Sequence, residues 1–300
     1  MSSLPVWTEP IGHGAQQVHF GKFYIIYTTR VRGDAVLFIR PRPRRRVVFQ
    51  RLVDIGRALG DAYALSPVAR ALDTSGQEVL VLAMEQESKA NEIATLEYLT
   101  LSNRKDGLPM TVAPERFSVL TFVAQTITAM HEKGFSHNNL KPAAFVLRLS
   151  DDGKTISPDT VRLVSWQSAR TVDNSDERTA RTPAFTPPET LTVLPETDRK
   201  LVHARRQAGD VYAFGVLAFF VLSGRYPWYA HDVNVETLES WVADGHRDTE
   251  GLQALAKSSP RGPLSQLAGV IQDCWLQDWR ARPKMTEVLI RIGAVRWPRE

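Results

Sequence analysis

Apolar positions change their period along this chain. Over residues 1–85 they fall in short runs rich in β-branched and aromatic side chains, FYIIYTT (23–29), DAVLFIR (34–40) and QEVLVLAM (77–84), which predict strands. RVRGD and DTSGQ, between these runs, carry turn residues and predict hairpins. One stretch interrupts them: RVVFQRLVDIGRALG (46–60) has apolar residues at helical spacing and stops at Gly60. After residue 90 the period becomes helical. APERFSVLTFVAQTITAMHEKG (113–134) is amphipathic, opened by Pro114 and closed by Gly134. The strands AFVLRL (144–149) and TVRLVSW (160–166) flank an SDDGK turn, and from residue 210 the pattern is mostly helical. The predicted class is α+β. A small β-rich part with one helix (1–85) precedes a larger, mainly helical part (86–300), with the join near Met84–Ser88.

With 43% apolar and 23% charged residues, the 300-residue chain can bury a sizeable core. The longest apolar run, VYAFGVLAFFVL (211–222), is too short for a membrane span of about 20 residues and predicts a buried helix. The net charge of +4 is small and much of it sits in RPRPRRR (40–46), so nucleic acid is not implied by charge alone. Cys274 is the only cysteine, which excludes an internal disulfide and leads us to expect an intracellular setting, cytoplasmic or nuclear. The opening MSSLPVWTEP lacks the basic and apolar segments of a secretory signal. Both ends lie close to the predicted elements, as expected of an isolated domain.

Five blocks in order carry a family resemblance. HNNLKPAAFVL (137–147) resembles the protein-kinase catalytic loop, with His137, Leu140, Lys141 and Pro142 matching. VRLVSWQSAR (161–170) resembles the strand and turn that carry D-F-G, and TPAFTPPE (182–189) the end of the activation segment. DVYAFGVLAFFVLSGRYPW (210–228) resembles the central buried helix, and CWLQDWRARP (274–283) a late helix pair. The chain thus resembles the protein-kinase superfamily, which implies a two-lobed fold with a β-rich amino-terminal lobe and a mainly helical carboxy-terminal lobe.

The working positions depart from that pattern. Phosphoryl transfer needs a carboxylate base, Asp and Asn ligands for magnesium, and a strand lysine on the phosphates. The base position holds Asn139, an amide that takes no proton near neutral pH. The metal positions hold Ala144 and Ser165, and the catalytic-loop arginine is Asn138. No lysine occurs between Lys22 and Lys89, and the best register puts Arg40 at the strand-lysine position. That register puts Phe38 against the adenine space, on the same face as Arg40. The glycine loop is read in IGHGAQQV (11–18), with Gly12 and Gly14 kept and Gln17 in place of a third glycine. Gln50, Arg51 and Asp54 are candidates for the acidic partner on the small helix. The resemblance assigns structural roles to six residues. His137 and Trp166 belong to the apolar column, Asp210 holds the catalytic-loop backbone, Glu189 pairs with Arg282, and Lys141 is a remnant.

The expected function is therefore that of a pseudokinase. It would need no nucleotide, metal or other cofactor and would bind a protein partner, an active kinase or its substrate. Two alternatives remain open: a weak transferase using Arg40 or Lys22, and a nucleic-acid-binding module using residues 40–46. A long insert, PETDRKLVHARRQAG (195–209), is expected to be a partner-binding loop. Thr171, Ser175, Thr179 and Thr182 are candidate phosphosites, although short hydroxyl residues are ordinary in loops. Trp275 and Trp279 are expected on one helix face in the core.

Overall fold

The structure is a computed structural model. It describes residues 4–8, 11, 15–20, 24–31, 34–41, 49–82, 93–102, 113–149, 156–173, 181–191, 198–228, 234–258 and 262–295. Two compact units emerge, Met1–Tyr98 with Ala143–Gln167, and Leu99–Pro142 with Ser168–Glu300. The join expected near Met84–Ser88, the glycines Gly12 and Gly14, Lys22, the SDDGK turn, Ser175, Thr179 and the arginines of 42–46 lie outside the described residues.

The first unit is built on an antiparallel sheet of β1 (Gln16–Phe20), β2 (Tyr24–Val31), β3 (Asp34–Pro41), β4 (Pro67–Leu72) and β5 (Glu78–Leu82), in the order β1-β2-β3-β5-β4. β2 and β3 pair from Tyr24 opposite Pro41 to Val31 opposite Asp34. Alternation sends Val36 and Phe38 to one face, where they pack with Ala69, Ala71, Val79, Val81 and Ile11. Leu37 and Ile39 point to the opposite face and are also fully buried. Burial on both faces is why this strand reads as an unbroken apolar run rather than an alternating one. Helix α1 (Phe49–Leu59) buries Leu52, Val53, Ile55 and Leu59 and exposes Asp54 and Arg57. A second sheet joins β6 (Ile93–Thr95), β7 (Phe145–Leu149) and β8 (Ile156–Leu163). β8 begins earlier and ends earlier than the 160–166 strand expected, which leaves Val164, Ser165 and Trp166 beyond the ladder.

The division between the units falls within α2 (Leu96–Ser102). The second unit contains α3 (Ala113–Glu132), α4 (Arg199–Ser223), α5 (Val235–Ala243), α6 (Thr249–Lys257), α7 (Pro263–Cys274) and α8 (Met285–Ala294). α4 is its axis: every residue from Gly209 to Leu222 is buried, and α3 and α7 pack against it. The expected loop at 195–209 is corrected here. From Arg199 onward it forms the first turns of α4, capped by Asp198, whose carboxylate accepts from the Lys200 and Leu201 amides. RKLVHARRQA consists largely of good helix formers, and with a cap in place it continues the buried helix. A second correction concerns the tryptophans. α7 ends at Cys274, Trp275 follows it fully buried, and Trp279 opens a 3₁₀ turn at Trp279–Ala281.

α4 can pack this closely because Gly215 has no side chain. A Cβ there would lie 2.7 Å from the Cys274 Cβ and 2.8 Å from the Trp275 Cδ1. Gly→Ala inside a helix ordinarily stabilises by about 1 kcal/mol. Gly215→Ala is expected to reverse that sign and destabilise the chain by about 1–3 kcal/mol, as overpacking does; urea unfolding measures it.

Candidate functional site

The 137–142 loop is suspended from α4. The Asp210 carboxylate, 1% exposed, accepts from the backbone amides of His137 at 2.6 Å and Asn138 at 2.8 Å. His131, from α3, places its Nε2 3.0 Å from the same group. Asn138 has a left-handed backbone (φ 65°), which Asn tolerates better than most side chains. Its amide nitrogen lies within hydrogen-bond distance of the Ser136 carbonyl, the Ser136 hydroxyl and the Ser168 carbonyl. An amide therefore ties this loop to the following segment at the position where the family carries arginine. Asn139 is buried; its backbone amide donates to His137 Nδ1, and its Oδ1 accepts from the Thr182 hydroxyl at 2.9 Å. Leu140 is buried and Lys141 half-buried.

The remaining candidate positions belong to the first unit. Ala144 is fully buried and offers only its backbone, whose carbonyl accepts from Val164. Ser165 is buried, and its hydroxyl donates to Gln167 Oε1 at 3.2 Å. Trp166 is fully buried, with its indole N–H donating to the Leu52 carbonyl at 2.9 Å. Arg40 is committed: its Nε sits 2.6 Å from Asp73 Oδ2 and its guanidinium lies over the Tyr27 ring. Burial raises the pKa of Asp73, but the Ser75 hydroxyl, the Gln77 and Ser75 amides and Arg40 together bring it below the ordinary carboxylate value. Asp73 was legible only as a hairpin residue; its role as the partner of Arg40 depends on β4 and β5 bringing that turn beside the end of β3.

One sequence expectation changes at this point. Gln17 lies within β1, opposite Tyr27, so it is not in a glycine loop. With Phe20 opposite Ile25, the connection between the first two strands is residues 21–23. The Phe20-Gly21-Lys22-Phe23 pattern is the turn signal that could have located it. Phe38, expected to fill the adenine space, stacks on Tyr27 with centroids 5.3 Å apart inside its own unit's core.

In the second unit Glu189 and Arg282 form a two-pronged buried pair, with both N–O distances 2.7 Å. Arg282 also donates to the Leu276 and Ala208 carbonyls and lies over the Tyr212 ring. Burial pushes the Cys274 thiol up to about 12, so it is inert.

Magnesium with a nucleotide is the group this fold implies. The residues that the resemblance assigns to it do not fit: Ala144 offers only a methyl, the Ser165 hydroxyl donates to Gln167, and Arg40 is paired with Asp73. Among the described residues no group of three His, Cys, Asp or Glu side chains is placed to hold a metal ion, and no helix is long and apolar enough to cross a membrane.

A unit built on an antiparallel sheet and a mainly helical unit with the 137–142 loop hung from α4 define the class. The model of the protein kinase domain matches residues 74–291, well over half of the chain, and the chain belongs to that family. It is similar to the probable serine/threonine-protein kinase gdt8 of Dictyostelium discoideum, at 21% identity over 77% of this chain and 17% of that protein. It is also similar to the leucine-rich repeat receptor protein kinase MSL1 of Oryza sativa subsp. japonica (26% identity, 61% of this chain, 13% of that protein). The serine/threonine-protein kinase CG17528 of Drosophila melanogaster is 22% identical over 72% of this chain and 28% of its own length. The chain spans less than a third of the length of each of these relatives.

Two expected outcomes follow from these contacts. Glu189→Gln leaves Arg282 as a buried charge without its counter-ion, and a loss of about 3–5 kcal/mol is expected in denaturant unfolding. His203 on α4 is buried, and neither ring nitrogen has a hydrogen-bond partner among the described residues. Burial lowers its pKa; the facing charges are His131, from α3, and Arg206, which lower it further, and Asp210, which opposes them. The unfolded chain takes the proton first, so the stability His203 contributes is whole above its ordinary value of 6.5 and is lost as pH falls below it. The thermal midpoint is expected to drop on acidification from neutral pH, and His203→Leu to flatten that slope; equal slopes for both proteins contradict it.

Proposed function

We propose that this kinase-family domain works without phosphoryl transfer, as a protein-binding scaffold or allosteric regulator of an active kinase or of another assembly. One observation carries the reading: at each position the reaction needs, the polar group is missing or already engaged within its own unit. Asn139 accepts from Thr182, Ser165 donates to Gln167, Arg40 pairs with Asp73, and Ala144 has no donor atom. A general base alone contributes about 10²–10⁴-fold, and these groups act as a unit, so restoring one does not restore the rate. The weak-transferase alternative draws no support from Arg40, whose charge Asp73 already meets. On this reading the partner is a protein and the location intracellular, the latter in keeping with a single, buried cysteine, Cys274.

Calorimetric and thermal-shift titration with ATP and magnesium is expected to give no heat and no change in midpoint. Radiolabelled ATP is expected to give no incorporation, and Asn139→Asp is expected to create none. Metal-dependent nucleotide binding or turnover lost in Arg40→Ala would overturn the reading.

A further inference from the structure

Five large apolar side chains are exposed among the described residues, and three of them stand on one face of the first unit's sheet: Val6 at 74%, Leu72 at 57% and Val68 at 39%. β4 buries Pro67, Ala69 and Ala71 and turns Val68, Arg70 and Leu72 outward. Val6 stands opposite Arg70 in a parallel bridge and so shares its face. Glu78, on β5, stands opposite Leu72, and its carboxylate lies 3.2 Å from the Arg70 guanidinium. The patch is therefore three apolar side chains around one exposed ion pair. The outer edge of the strand is closed here. The Arg70 amide donates to the Pro5 carbonyl, the Arg70 carbonyl accepts from the Trp7 amide, and the Leu72 carbonyl accepts from the Ile11 amide. Those backbone groups are not open to another strand, so what this region offers a partner is its face.

The charge on that face selects the partner. It holds one cation and one anion, so a partner segment of either sign alone would be repelled by one of them. A second copy is not. Turned about a two-fold axis, the same patch sets Arg70 of each copy against Glu78 of the other, while Val6, Val68 and Leu72 meet an apolar surface like their own. We propose that the outward face of β4, with Val6 beside it, is the interface of a two-fold dimer of this chain. Three apolar side chains and an ion pair make a small centre beside the roughly 20–30 residues a side of a standard interface, so the dimer is weak and reversible. This goes beyond the non-catalytic reading and does not depend on it.

Sedimentation equilibrium of the full chain, from about 1 μM to about 1 mM, tests the dimer. The wild-type protein is expected to exchange between monomer and dimer, and a monomer throughout that range overturns the proposal. Leu72→Thr keeps a residue suited to an exposed strand. It is expected to weaken association at least about tenfold, since each dimer loses two buried leucine side chains; unchanged association overturns the proposal. Arg70→Glu gives each copy two anions on the face, and Glu78→Arg gives each copy two cations. Each variant alone is expected to associate more weakly than wild type, and an equimolar mixture of the two to regain wild-type association, because unlike copies then meet opposite charges. A mixture no tighter than the separate variants overturns the two-fold contact. Should either charge reversal lower the thermal midpoint of the chain, the Leu72→Thr arm decides.

Discussion

The Asp210 carboxylate lies at the middle of the most buried helix and accepts from two consecutive backbone amides of a loop more than seventy residues earlier. Hydrogen bonds to a charged group are worth about 1.5–3 kcal/mol each, and an unmet buried carboxylate is costlier still. The loop and the helix therefore specify each other. The loop's conformation, including the left-handed backbone at Asn138, follows from where Asp210 stands, and the helix tolerates a buried charge because the loop supplies donors. This anchoring is separate from chemistry at the loop's other residues, so those residues can change while the loop keeps its shape.

The same separation recurs in the first unit. Arg40 carries the charge expected of a phosphate-binding cation, yet its partner is an aspartate of the same sheet. Trp166 carries the bulk expected of its position, yet adds a donor that reaches α1. In both cases a side chain at a family position has been turned inward, to a contact within its own unit. Asn138 and Asn139 do likewise with amides, which donate and accept without charge. In each case the polar group meets a partner within its own unit.

The limits of reading one dimension lie in particular residues. Strand runs, the helices ending at Gly60 and Gly134, and the five ordered motifs were legible because periodicity and local turn chemistry are properties of neighbours in sequence. Gln17 was misplaced in a glycine loop because the two preceding glycines resembled one, whereas pairing with β2 makes it a strand residue. The 199–209 segment was read as a loop from the spacing of family blocks, although its own composition favours helix and Asp198 offers a cap.

Side-chain partnership is what the sequence could not hold. The assignment of Asn139, Ala144, Ser165 and Arg40 to the base, metal and cation positions comes from the resemblance and from order along the chain alone. That Arg40 meets Asp73, that Phe38 stacks on Tyr27 within a core, and that Trp166 reaches Leu52 depend on strand register and helix placement. Those are settled only when distant segments pack, because a hydrogen bond or ion pair exists only within about 3 Å, a distance that spacing in sequence does not encode.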